Sequence, residues 1–128
     1  MHPTIMIVED EELIVLFIRE ILELAGFRVV AFVEGTPALT YLQVHKIDCA
    51  ILDVGLPDMA GDMLVQHIRT RCQNLPIILS TGYSQAPYQQ AFGNDPWLRI
   101  VAKPYNETRL LLEVEKLMLT QTDVLTSG

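Results

Sequence analysis

Hydrophobic residues along this chain follow two different repeats, and the two take turns five times. Short apolar runs cover Thr4–Val8, Arg28–Phe32, Asp48–Leu52, Pro76–Ser80 and Leu98–Ala102. After each run come Glu11–Ala25, Thr36–Val44, Met59–Arg71, Gln85–Phe92 and Glu107–Leu119, where apolar positions recur every three to four residues, as in an amphipathic helix. Strands and helices in strict alternation predict a parallel sheet with helices on both faces. The first, third and fourth runs are apolar almost throughout, the pattern of central strands buried on both sides.

Turn and breaker residues agree. Gly26 stands where the first helix should be capped at its C-terminus, and Pro76 opens the fourth strand, where a missing N–H costs little. Pro87, Gly93 and Pro96 interrupt the fourth helix and leave it about two regular turns. The chain ends on polar residues, so the reading is one domain over residues 1–120 and a fraying tail over 121–128.

Composition narrows the class. With 128 residues, half of them hydrophobic, the chain can fill one core and has little room for a second domain. No apolar run reaches the roughly 18 residues that span a bilayer, and Met1-His2-Pro3-Thr4 lacks the regions of a signal peptide. A cytoplasmic protein without membrane insertion is expected. Cys49 and Cys72 have no metal-ligand spacing and are expected as buried free thiols. A formal net charge of −7 argues against direct nucleic-acid binding, because phosphates would be repelled. The same excess suits a site that holds a cation, although acidic solvated helices give the same total.

Polar residues gather at the ends of the predicted strands: Glu9-Asp10 after the first, Asp53 after the third, Thr81-Gly82 after the fourth, Lys103-Pro104 after the fifth. In a parallel sheet these ends share one edge, where ligands bind at the switch in strand order. Carboxylates crowded together repel one another. A divalent cation removes the problem, and Mg²⁺ accepts carboxylates together with several waters. Such a set suits phosphoryl transfer, which needs alignment and neutralisation of the moving oxygens, with one carboxylate as nucleophile. Taken singly, each residue has a duller role: Asp10 as a helix cap, Asp53 as a solvated strand end, Lys103 as an exposed lysine, Thr81 as a turn residue. Their joint placement at one edge is what the duller roles leave unexplained.

From Thr4 to Leu119 the chain resembles a response-regulator receiver domain of two-component and phosphorelay signalling. The resemblance is carried, in order, by Ile7-Val8-Glu9-Asp10-Glu11, Leu52-Asp53-Val54-Gly55-Leu56-Pro57 with Gly61 beyond, Ser80-Thr81-Gly82-Tyr83 and Ala102-Lys103-Pro104-Tyr105. It implies an α/β, flavodoxin-like (βα)5 three-layer sandwich with a five-stranded parallel sheet of order 2-1-3-4-5. It implies Asp53 as the phosphoacceptor, taking a phosphoryl group from a phosphohistidine on a histidine kinase or histidine phosphotransfer protein. Mg²⁺ would be held by Asp10 directly, by Glu9 through water, by Asp53 and by the backbone carbonyl of Gly55. Lys103 would pair with a phosphoryl oxygen, and Thr81 would turn inward after modification as the switch. Pro104 would follow a cis peptide bond. The protein would be a signalling switch and not an enzyme, catalysing only its own phosphorylation and dephosphorylation.

Three departures from the family pattern bear on mechanism. Ile100 stands three positions before the lysine, where the family often has a rotating aromatic residue; any rotamer coupling would differ, with Trp97 or Tyr105 as contributors. Gly55 has no side chain to orient a water beside the acyl phosphate, and Tyr83, two residues beyond Thr81, could shield it, so slow self-hydrolysis is expected. Pro87 and the segment Gly93-Asn94-Asp95-Pro96, which lacks the usual small residue after its glycine, predict an irregular output face around the fourth helix. On the first helix, Ile14, Phe17, Ile18, Ile21 and Ala25 form the predicted inward stripe. Val15 and Leu16 fall on other faces as a candidate partner surface, since the family docks this helix on the bundle bearing the phosphohistidine.

Two other classes share the architecture. A haloacid-dehalogenase-type phosphatase also uses an aspartate nucleophile, but it wants a second acid two residues on, where Gly55 stands. A flavin binder would need a hydroxyl- and glycine-rich loop after the first strand, and Glu9-Asp10-Glu11-Glu12 would repel a phosphate there. The pattern fits a stand-alone regulator and the receiver of a hybrid histidine kinase or larger regulator alike. It leaves open a homodimer, the stimulus and the downstream effector.

Overall fold

The structure is a computed structural model that describes residues 2–127, with side chains described for residues 2–119. In chain order the elements are β1 (Thr4–Val8), α1 (Glu12–Leu24), β2 (Arg28–Phe32), α2 (Gly35–Leu42) and β3 (Cys49–Asp53). They continue as α3 (Gly61–Arg69), β4 (Ile77–Thr81), α4 (Ala86–Phe92), β5 (Leu98–Ala102) and α5 (Glu107–Ser127). Among the described residues the strands form one parallel sheet of order β2-β1-β3-β4-β5. This is the order that the family resemblance implies.

Burial explains the apolar runs. The inner strands β1, β3 and β4 are buried along nearly their whole length, whereas the outer strands β2 and β5 are partly exposed. Alternate residues of each strand face opposite layers. On one side Ile5, Ile7, Ile51, Ile78 and Val101 meet Ile18, Ile21 and Leu22 of α1 and Leu110, Val114 and Leu117 of α5. On the other, Met6, Val8, Leu52, Leu79 and Ile100 meet Ala38 of α2 and Leu64, Val65 and Ile68 of α3.

Several boundaries differ from the sequence reading. β3 and β4 each start and end one residue later than their apolar runs, at Cys49 and Ile77. Asp48 is spent outside the strand, its carboxylate accepting the Thr4 N–H at 2.7 Å, while Pro76 contributes its carbonyl to Ala50 N–H at 2.9 Å. The shift brings Asp53 and Thr81 into the last paired positions. Pro87 opens α4 in its first turn and does not interrupt it, because the N–H it lacks has no partner there in any helix. Asp95 orders the segment after α4: it accepts from Arg69 Nε at 2.7 Å and from Trp97 N–H at 2.9 Å. α4 is a regular short helix of seven residues, none of them buried. Helix α5 runs past its expected end at Leu119 to Ser127 and so takes in most of the expected tail, 121–128, whose side chains are not described.

Helix α1 ends as expected. Gly26 takes φ 98°, its N–H donating to Glu23 O and that of Phe27 to Leu22 O, a Schellman motif that needs a left-handed residue. The inward stripe needs correction: Ile18, Ile21 and Leu22 are buried, Ile14 is half-buried, and Phe17 and Ala25 are exposed. Leu22 takes the place given to Phe17, whose ring lies at the margin of the stripe. Cys49 is buried with its thiol pushed up to about 12 by burial; Cys72 is half-buried, and both are free.

Candidate functional site

The chain leaves β1 for β2 on one side, and β3 pairs with β1 on the other. The crevice at their C-terminal ends is therefore the switch point of the sheet. Glu9 and Asp10 follow β1, Asp53 ends β3, and Lys103 follows β5. Lys103 Nζ lies 2.6 Å from Glu9 Oε1 and 2.9 Å from Asp53 Oδ1. The other oxygen of Glu9 accepts the Glu11 N–H at 3.1 Å. One oxygen each from Glu9, Asp10 and Asp53 lies within 4.8 Å of the others. Glu9 and Asp53 are 2% and 8% exposed, whereas Asp10 is exposed.

This burial has electrostatic consequences. Burial raises the Glu9 carboxyl above the usual carboxylate range, and the Lys103 ammonium and Glu11 N–H only partly oppose it. For Lys103 the balance reverses. Burial lowers its affinity for a proton, but hydrogen bonds to Glu9 and Asp53 and their charges outweigh it, so the ammonium is held above its ordinary value. Three carboxylates against one ammonium leave the cluster negative when all are ionised. Hard oxygen donors, two of them buried and one open to water, fit Mg²⁺, which keeps several waters when protein carboxylates bind it.

The loop after β3 is shaped by close backbone approach. A Cβ at Gly61 would come within 2.5 Å of Asp53 O and 2.6 Å of Val54 Cα, so only glycine lets the loop fold back. Its N–H donates to Val54 O at 2.9 Å, and Gly55 pairs with Ala60. A Cβ at Gly55 would meet Asp53 Oδ2 at 3.6 Å, an ordinary contact. At the end of β4, the Thr81 hydroxyl is buried and accepts the Tyr83 N–H at 3.0 Å. The Lys103–Pro104 bond is cis, and Lys103 N–H donates to Thr81 O at 2.8 Å, joining the ends of β4 and β5.

With this geometry in place, the sequence matches the family described as response regulator receiver domain over residues 5–115. The chain belongs to that family. It is 32% identical over 118 residues to the regulatory protein VanRc of Enterococcus gallinarum, covering 90% of this chain and 49% of that protein. The chain thus spans about half the length of that relative. A solved signal receiver domain of a signal transduction histidine kinase from Syntrophus aciditrophicus is similar at TM-score 0.80 and 26% identity, covering 92% of this chain and 91% of that one. A CheY-like response regulator receiver domain protein from Methanospirillum hungatei JF-1, at TM-score 0.88 and 24% identity over 96% of this chain and 98% of that one, bears on the fold alone. Receiver domains are signalling switches, and the family assignment displaces the haloacid-dehalogenase-type alternative.

In this receiver domain Glu9, Asp10, Asp53 and Lys103 come together, with Thr81 and Gly55 beside them. Tyr83 does not cover the site; the residue is 79% exposed. Ile100 is buried in the layer of α2 and α3. Trp97 precedes β5, at the opposite edge of the sheet from Asp53, so it cannot stand in for the missing aromatic residue. Tyr105 is close by: with Ile14, Phe17, Lys103 and Pro104 it lines an apolar hollow of about 220 Å³. Its hydroxyl oxygen is buried without a hydrogen-bond partner, and burial raises it to about 12 although Ser80 stands near. On α1, Leu16 is exposed and Val15 half-buried.

Sequence reasoning passed over two residues. Leu13 is exposed beside Leu16 and Phe17, and its place in the outer stripe of α1 was legible from i, i+3, i+4 spacing. Asp58, in the loop after β3, accepts the Gly35 and Thr36 N–H groups of α2. Its sequence signal, an aspartate after proline, says only turn.

Proposed function

We propose that Asp53 accepts a phosphoryl group from a phosphohistidine on a histidine kinase or histidine phosphotransfer protein. Asp53 oxygen attacks phosphorus, an O–P bond forms, the P–N bond to imidazole breaks, and the imidazole leaves. The observation that carries this reading is the Lys103 ammonium held between Glu9 and Asp53 beside a three-carboxylate cluster. Asp10, Asp53, the Gly55 carbonyl and, through water, Glu9 would hold Mg²⁺. When bound, Mg²⁺ neutralises charge on the phosphoryl oxygens. Lys103 exchanges a carboxylate partner for a phosphoryl oxygen, and Pro104 sets its approach. The Thr81 hydroxyl turns toward another phosphoryl oxygen and passes the change to β4.

Gly55 offers no group to activate water, so the acyl phosphate hydrolyses slowly; the exposed ring of Tyr83 adds nothing in this conformation. The domain thus catalyses its own modification and little else. It operates in the cytoplasm, either alone or as one part of a longer regulator or hybrid kinase. The exposed face of α1 that carries Leu16 docks the phosphohistidine donor. Beryllofluoride with Mg²⁺ tests the assignment: the wild-type domain binds both and Asp53→Asn binds no beryllofluoride. Equal binding by the two would sink it, and phosphate released from labelled protein reads the lifetime.

A further inference from the structure

We propose that Asp58 is a positioning residue for the phosphorylation site, tying the loop that presents the Gly55 carbonyl to the first turn of α2. The inference rests on the magnesium reading above. The first N–H groups of a helix have no partner inside it, and Glu34, the residue preceding α2, makes no side-chain cap. A carboxylate more than twenty residues away does so instead. Asp58 Oδ1 accepts the Gly35 N–H and Oδ2 the Thr36 N–H, each at 2.8 Å. The positive end of the helix dipole favours this charge. The hydrogen bond from Gly35 foremost, then that from Thr36, holds the Asp58 carboxyl down to about 2, so the clamp stays charged through the physiological range.

The surroundings leave the loop little freedom. Gly35 is buried, and a Cβ there would come 2.8 Å from Met59 Sδ, so loop and helix already touch. At the far end Gly61 packs on the Asp53 backbone, and Ala60 pairs with Gly55. Besides the packing of Leu56 and Met59, the segment from Gly55 to Gly61 is held to β3 through Gly61 and to α2 by the Asp58 hydrogen bonds. Losing those hydrogen bonds loosens the loop that carries the Gly55 carbonyl, while Asp53 stays fixed in its strand.

Calorimetric titration with Mg²⁺, thermal unfolding and acetyl-phosphate labelling of the same preparations test this. Asp58→Ala raises the Kd for Mg²⁺ about tenfold, the lower end of what removing a group behind a metal ligand costs. Its labelling rate at saturating Mg²⁺ stays near that of the wild type. Asp58→Asn, which keeps an accepting oxygen, falls between. An unchanged Kd in Asp58→Ala overturns the inference whatever its thermal stability. Equal losses in both variants overturn it too, because charge and not the clamp would then set the affinity. If Asp58→Ala does not fold, a wild-type Kd in Asp58→Asn is decisive against it. A wild-type domain that binds no Mg²⁺ instead overturns the underlying magnesium reading.

Discussion

Asp53, Asp10, Glu9 and Lys103 were legible in the sequence because each sits at a strand end and the parallel order brings those ends together. Asp58 was not, since its partners lie on another helix and pairing at that range leaves no local pattern. Gly61 belongs between these cases: the motif names it, and the structure supplies the reason. A Cβ there would strike backbone atoms of Asp53 and Val54, which cannot move aside as a flexible side chain would. Gly61→Ala should therefore destabilise the domain by about 2–3 kcal/mol, the scale of overpacking, measured by urea unfolding. A loss below about 0.5 kcal/mol, the range of an indifferent surface change, would show that the loop yields.

At the level of elements, strands were read better than helix faces. A strand shows its burial in every residue, whereas a helix face is decided by its tilt on the sheet, which period alone does not give. Phe17 fell outside the core for this reason, and with Leu13 and Leu16 it leaves α1 with an exposed apolar edge. Leu16→Glu should slow phosphotransfer from the donor protein at least about fivefold, the effect of losing a contact worth ~1 kcal/mol. Labelling by acetyl phosphate should not change; a parallel loss there would point to damage at the site.

Helix α5 is pinned to β5 by another device. Buried Glu113 binds Arg99 and Arg109. Burial raises its carboxyl, but hydrogen bonding to Arg99 and the charges of Arg99, Arg109 and Lys116 outweigh this, so it titrates below its ordinary value. That contribution to stability is present above the ordinary value and disappears as pH falls through the lowered one. Arg99→Ala should cost about 2 kcal/mol near neutrality, between an exposed and a buried pair. It should also move the acid-unfolding midpoint upward; an unmoved midpoint would show that the pair with Arg99 does not pin the helix, since Arg109 lies on α5 itself.

For the whole molecule, the acidic cluster at the strand ends is a place where stability is given up. Glu9, held above its ordinary value chiefly by burial, favours the folded state at low pH. That benefit is lost as pH rises from its ordinary value through the raised one. Mg²⁺ would bind the ionised carboxylates and offset that loss, so the gain in Tm on adding Mg²⁺ should grow as pH rises above the ordinary carboxylate value. At ten times its Kd the ion contributes about 1.4 kcal/mol, a few degrees for a domain of this size. A thermal shift independent of pH would remove Glu9 from the ion's surroundings. The Thr81 oxygen has a consequence of its own: it already shelters the amide of Tyr83. A threonine drawn toward Asp53 leaves that amide orphaned, and the turn after β4 must re-form to satisfy it. With Ile100 in place of a swivelling ring, news of the modification would travel outward along the main chain.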